Sequence, residues 1–283
     1  MGVTGDGPGT EVPALPPSAS ASAPAPAPYG YSRWHRAFEV LCIAAVLGLL
    51  VGFTVQVPRT IDTAGGWVTL MLTGLVAYLA SDVISGVVHW AGDTIGHERV
   101  WFLGPNFIRP FRQHHVDQQE ITRHDFIETN GNNCIITCGP LALSFVLLPG
   151  TESFAFFAAT FVAFLSFFVM ATNQFHKWAH LDRPPALARW LQRWGLILTP
   201  THHQVHHARP HDRHYCITVG WMNPLLNGVR FFRAAEWVVA RFCPSWLHLP
   251  ERLPLSADGV VAGAGATATS AQMQSGRAHP SEG

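Results

Sequence analysis

Charge is what this chain has least of. Lys and Arg number 18 and Asp and Glu 18, together 13% of 283 residues, about half the share of an ordinary soluble domain. Too few charges are left to cover a water-facing surface, while 48% of the residues are hydrophobic, so a lipid bilayer is the expected solvent. A formal charge of zero excludes a nucleic-acid partner, whose phosphates call for a basic excess. Cysteine is sparse too: Cys42, Cys134, Cys138, Cys216 and Cys243 are odd in number and scattered, which excludes a disulfide framework and a paired CxxC zinc site. There is no GxGxxG flavin or nicotinamide fingerprint and no Cys spacing for an iron–sulfur cluster, so electrons for redox chemistry would come from a separate protein. Eighteen Phe and ten Trp exclude disorder throughout.

Residues 1–29 are built from Pro, Ala, Ser and Gly and lack the charged start, apolar centre and cleavage site of a secretory signal. Residues 251–283 are similarly poor in large apolar groups. Both read as disordered tails around a membrane domain at 30–250. Four apolar stretches lie within it, at about 37–57, 67–90, 133–149 and 153–172. The first, second and fourth reach the roughly 20 residues that cross a hydrocarbon core about 30 Å thick. The third is shorter and carries Gly139-Pro140, which leaves a re-entrant segment as the alternative to a span.

The distribution of basic residues supports four crossings. Arg33 and Arg36 precede the first stretch, Arg99, Arg109, Arg112 and Arg123 separate the second from the third, and Lys177, Arg183, Arg189 and Arg193 follow the fourth. The two other connections hold Arg59 with Asp62, and Glu152. Lys and Arg favour the cytoplasmic side, which puts both termini, the 91–132 loop and everything beyond residue 172 in the cytoplasm. The expected fold is an all-α integral membrane protein of about four transmembrane helices with a cytoplasmic His-rich cap. Residues 221–242, mixing Trp, Phe and Val with Arg230, Arg233, Glu236 and Arg241, read as an amphipathic helix on the membrane surface. Trp90, Trp178 and Trp221 read as interfacial belt residues, and His35 and His248 as half-buried anchors.

Histidine, by contrast, is abundant: thirteen of the sixteen fall between His89 and His214. His89 and Asp93 are four apart, as are His176 and His180, so each pair shares a helix face. His114 and His115 are adjacent, and His203 in a helix shares a face with both His206 and His207. Imidazole suits iron, zinc, copper and nickel, and at least four such groups at one side of a membrane offer enough nitrogen for two metals with open positions. The zinc-protease motif HExxH is absent, because Trp101 stands where its second His would be. Zinc hydrolysis needs three ligands and a water, far fewer than these, and iron suits oxygen activation better. The plain alternative is a solvated His-rich surface that buffers metal. His97, His211 and His214 remain open as ligands or as groups that orient them.

With His89-Trp90-x2-Asp93-Thr94, the run from Phe107 to His115, the run from Thr122 to Asn132, Asn173-Gln174-x-His176-Lys177-Trp178-x-His180 and His202-His203-x2-His206-His207, the chain resembles the plasmanylethanolamine desaturases of the Kua and CarF type over about residues 33–245. That resemblance implies an iron- and O2-dependent membrane oxidoreductase that introduces the vinyl-ether double bond of plasmalogens between C1 and C2 of the sn-1 alkyl chain. It implies two irons held by His89, His114, His115, His176, His180, His203, His206 and His207, with Asp93, His124 and His202 as further ligands or partners. It also implies a separate donor, cytochrome b5-like or a ferredoxin with its reductase, and a place in the bacterial inner membrane. The CarF branch adds a link to light-induced carotenoid synthesis through singlet oxygen. Arg109 and Arg112 flank the double His at the depth of a lipid phosphate, or are ordinary cytoplasmic-side charge. Two other readings stay open: a diiron acyl desaturase or hydroxylase, and a non-enzymatic metal transporter.

Overall fold

The computed structural model describes residues 32–146, 148 and 153–249; the tails expected at 1–29 and 251–283 lie outside them. Among the described residues are ten α-helices and no sheet: α1 (Arg33–Gln56), α2 (Ala64–Thr94), α3 (Arg109–Val116), α4 (Glu120–Arg123), α5 (Phe126–Val146), α6 (Phe154–His180), α7 (Ala186–Arg193), α8 (Pro200–His207), α9 (Asn223–Gly228) and α10 (Phe231–Phe242). Ser32, Thr63 and Ser153 start the three longest, each side-chain oxygen accepting the N–H three residues on and so satisfying a donor the helix cannot.

Three stretches are long and apolar enough to cross a bilayer, Arg33–Arg59, Ala64–Thr94 and Phe154–His180, which associates the chain with a membrane. The third apolar stretch of the sequence is part of a longer helix, α5, which begins at Phe126. Its polar residues weaken its hydropathy yet serve a neighbour. Asn133 Nδ2 donates to the Val169 carbonyl (2.7 Å), Asn130 to Gln174 Oε1 (3.1 Å), and Asn173 of α6 donates back to the Thr129 carbonyl (3.1 Å). Gly139 and Pro140 face outward, exposed, where a missing helical N–H costs no contact with a neighbouring helix.

The side-chain pairs fix the helix directions. Along α1 and α5, Arg36 pairs with Asp125, Glu39 packs on Gly131, and Phe53 meets Phe145 edge-on at 5.3 Å, so these two helices run the same way. Tyr78 lies 4.5 Å from Phe168 and His89 lies 5.9 Å from His176, so α2 and α6 also run together, opposite to the first pair. The ends of α2 and α6 therefore meet the starts of α1 and α5 at one end of the bundle. With a rise of 1.5 Å per residue, α2 is about 46 Å long and α6 about 40 Å, longer than an apolar core about 30 Å thick. Their last turns carry His89, Asp93, His176 and His180.

The segment at 215–220 is irregular yet buried throughout, so its main-chain groups need partners within the protein. α2 supplies them. Ser85 Oγ accepts from the Ile217 N–H (3.0 Å), Asp82 Oδ1 from Val219 and Gly220 (both 2.9 Å), and Asp82 Oδ2 from Met222 (3.0 Å). From sequence, Asp82 is only a polar interruption in an apolar stretch; here it is fully buried and anchors this segment.

Two expectations need correction. The 221–242 stretch is not one amphipathic helix: Arg230 adopts φ +54° between α9 and α10, and Glu236 of α10 is fully buried. Trp90 is not an interfacial residue either. It is buried, and its indole N–H donates to Glu236 Oε1 at 3.3 Å, which ties α10 to α2.

Candidate metal centre

Short local elements aim the remaining donors. Pro200 at the first turn and the Thr199 hydroxyl, which accepts the His202 N–H at 3.3 Å, start α8. Pro110 likewise starts α3, whose last turn carries His114 and His115. Packed on the ends of α2 and α6, these helices assemble two groups whose ligand atoms lie within 4.8 Å of one another. One group is His114, His176, His180, His203 and His207, and the other is His89, Asp93, His115 and His206. The groups adjoin, with the His115 and His207 ring centres 5.3 Å apart and those of His203 and His206 5.8 Å apart.

Both groups suit metal ions. In the five-His group the Nε2 atoms crowd together: His114 to His207 at 3.1 Å, His176 to His203 at 2.8 Å, His176 to His180 at 3.2 Å and His203 to His207 at 2.9 Å. Metal–imidazole bonds of about 2.1 Å set at right angles separate neighbouring nitrogens by roughly 3 Å. In the second group the Nε2 atoms of His115, His206 and His89 stand 3.0, 3.4 and 3.7 Å from Asp93 Oδ2. Yet none of these four atoms makes a hydrogen bond, although all are buried, and buried polar atoms without partners are costly. His206 Nδ1 lies 2.9 Å from the Arg213 carbonyl; donating there, it turns the Nε2 lone pair to the centre, the usual way a ligand imidazole is oriented. Burial, reinforced by neighbouring imidazoles, holds His114, His203 and His207 well below the ordinary imidazole pKa, which keeps them neutral and able to ligate.

The nine donors in the two groups are Asp93 and the eight His expected as ligands. His124 and His202 are not among them. His124 stands at the start of α5, where its carbonyl accepts from Lys177 and its Nε2 lies 3.8 Å from Glu128 Oε1. His202 stacks on His214 at 4.6 Å, receives a bond from Asn223 Nδ2 at 2.9 Å and presses against Gly220; this bolts α8 to the buried 215–220 segment. Gly220 has φ +84°, and a Cβ there would lie 2.5 Å from His202 Nε2. His97 is exposed, whereas His211 approaches His115, with ring centres 4.6 Å apart.

Arg112 spends its guanidinium on the end of α2. Nη2 donates to the Gly96 and Ile95 carbonyls (2.9 and 3.3 Å) and Nε to the Asp93 carbonyl (3.3 Å). Burial lowers its pKa. Arg109 lies at the start of α3, half-buried. Sequence reasoning missed Tyr215, wholly buried with its ring 4.9 Å from His206 and 6.0 Å from His89. It also missed Phe111, whose ring lies against Gly92 and 5.2 Å from His89. Tyr215 lies outside every motif, and Phe111, although inside the run from Phe107 to His115, is one aromatic residue among many in the chain.

A lipid desaturase domain matches residues 78–244, more than half of the chain and every donor above. The chain is 50% identical over 210 residues to a plasmanylethanolamine desaturase of Myxococcus xanthus, a match covering 74% of each protein. It is 45% identical over 175 residues to plasmanylethanolamine desaturase 1 of Mus musculus, covering 59% of this chain and 64% of that one. Over 172 residues it is 34% identical to the chloroplastic fatty acid desaturase 4 of Arabidopsis thaliana, covering 59% of this chain and 50% of that one. No solved structure matches the chain. The buried His and Asp donors at the ends of long apolar helices, the domain match that spans them and the identity to these relatives together establish that this chain belongs to the lipid desaturase family of membrane oxidoreductases.

Proposed function

We propose that the chain is an iron- and O2-dependent desaturase of ether phospholipids, forming the C1–C2 vinyl-ether bond of plasmanylethanolamine. The two adjoining donor groups carry this reading: five imidazoles in one and three with a carboxylate in the other suit a pair of irons, and the relatives with the highest identities given above act on plasmanylethanolamine by name. Two irons bound there would supply oxygen activation and the capacity to remove one hydrogen from each of the adjacent carbons C1 and C2. The protein's part is to hold the donors in register, keep His114, His203 and His207 neutral by burial, and set the distance between headgroup and metals.

The ligand end is read as cytoplasmic and the membrane as the bacterial inner membrane, with α5 as the fourth crossing and both termini on the ligand side. A separate electron donor, cytochrome b5-like or ferredoxin with its reductase, completes the cycle. The Arabidopsis relative's name keeps acyl desaturation as the second reading, and one experiment separates the two. Purified protein in vesicles, given a reductant, O2 and either 1-alkyl or 1-acyl phosphatidylethanolamine, should yield acid-labile vinyl ether from the first lipid alone. A double bond placed only in the acyl lipid would overturn the ether assignment. Zinc without iron, and no oxygen demand, would favour metal transport.

A further inference from the structure

A cavity of about 570 Å³ opens beside the metal centre, within the size range of small-molecule pockets. Asp93, His115 and His207, drawn from both donor groups, line it together with Glu98, Arg112 and Arg209. The other cavity described, beside α10, touches none of the nine donors. One border is firmly built: the Gly96 N–H donates to the Trp246 carbonyl (2.7 Å) and the His248 N–H to the Thr94 carbonyl (2.8 Å), so the 246–248 segment closes over the end of α2. Arg112 grips the same end from within.

The chemistry of the substrate sets what must lie next to the metals. In an ether phospholipid the carbon to be oxidised is six single bonds from phosphorus and ten from the ethanolamine nitrogen. With bonds near 1.5 Å, those chains reach roughly 7 and 12 Å when extended. A headgroup cannot then float in bulk water while C1 sits at the irons; it occupies whatever space adjoins them. The adjoining space here carries both signs of charge, Arg209 and Arg112 against Glu98, as a zwitterion requires. Glu98 and Arg209 are exposed at its mouth, where a headgroup can reach them.

Resting on the ether-lipid reading above, we propose that this cavity is the headgroup site, with Arg209 on the phosphate and Glu98 as the residue that selects ethanolamine. A carboxylate can accept hydrogen bonds from a primary ammonium, whereas the quaternary nitrogen of choline has none to give. Arg112 contributes positive charge and holds the border in place.

The test uses the full chain in vesicles, with 1-alkyl phosphatidylethanolamine or 1-alkyl phosphatidylcholine as substrate, and in detergent with glycerophosphoethanolamine or glycerophosphocholine as chainless probes. Glu98→Gln should lower the preference for the ethanolamine lipid by about tenfold, the weight of one charge-assisted hydrogen bond, through KM and with metal content unchanged. Glu98→Asp should recover part of it. Arg209→Gln should weaken both lipids and both probes alike. Unaltered selectivity in Glu98→Gln protein that keeps its metals, or equal binding of the two probes by the unmodified protein, would overturn the assignment. If the unmodified protein turned over neither ether lipid, the proposed function would fail, and binding of the chainless probes would still decide the cavity.

Discussion

Replacing Asp82 by Ala strands three main-chain N–H groups at once. Val219 and Gly220 donate to Oδ1 and Met222 donates to Oδ2, all at 2.9 to 3.0 Å, the first two fully buried and the third partly so. An unsatisfied buried donor costs about 1–3 kcal/mol, so the Ala protein should lose about 3–9 kcal/mol. Asn tests how that cost divides. Its oxygen can still serve Val219 and Gly220, while its NH2 faces the Met222 N–H, which leaves a single donor stranded and a cost of about 1–3 kcal/mol. At about 2–4 °C per kcal/mol for a chain of this size, Asp82→Asn should lower the melting temperature of the detergent-solubilised protein by roughly 3–10 °C, and Asp82→Ala about three times as far. The damage should reach the metal centre, because Gly220 and Asn223 hold His202 and, through it, α8. Metal content measured on the same samples should fall in the Ala protein before the Asn protein. Equal melting of the two variants, or an Ala variant within about 2 °C of the unmodified protein, would refute this account of the carboxylate.

Asp93→Ala removes the sole carboxylate of the second group, so metal analysis should show loss of about one ion per chain while the five-His group keeps its own. His203→Ala should cost metal and activity together, whereas His202→Ala should retain two ions and lose thermal stability instead; equal metal loss from both would mean that His202 ligates. Gly131→Ala places a Cβ 2.5 Å from Glu39 Cδ and should destabilise by about 1–3 kcal/mol, a loss that Glu39→Ala in the same chain should relieve in a melting assay. Acid should weaken the metal-free protein in one direction. Since burial lowers the pKa of His114, His203 and His207 in the folded state, the unfolded chain binds more protons below about pH 6.5, so stability should be flat above that value and fall beneath it; a metal-free protein that melts higher at pH 5.5 than at 7.5 would contradict this.

The pairing of donors was legible in the sequence wherever it follows helical repeat. His89 with Asp93, His176 with His180 and His203 with His207 are each four apart, and each pair falls in one group. What spacing could not settle is the division between the groups. Successive residues on a helix point about 100° apart, so His114 and His115 part company, as do His206 and His207. His206 shares a broad face with His203 but is turned, by its bond to the Arg213 carbonyl, toward the other centre. The apolar stretches showed where the long helices lie, yet hydropathy undervalued the start of α5, whose Asn side chains are polar in composition and donate to α6. Asp82 was invisible as an anchor because its partners are main-chain N–H groups about 140 residues away, which leave no mark in composition.

The spread of donors along the chain also governs the order in which the centre can come into being. The five-His group draws on His203 and His207, and the second group on His206, all three from α8. A nascent chain that has already threaded its long helices through the lipid still has neither socket finished. Loading with metal is thus a late event in biosynthesis, after the ribosome has passed residue 207, and a chain stopped short of α8 would be inserted but empty.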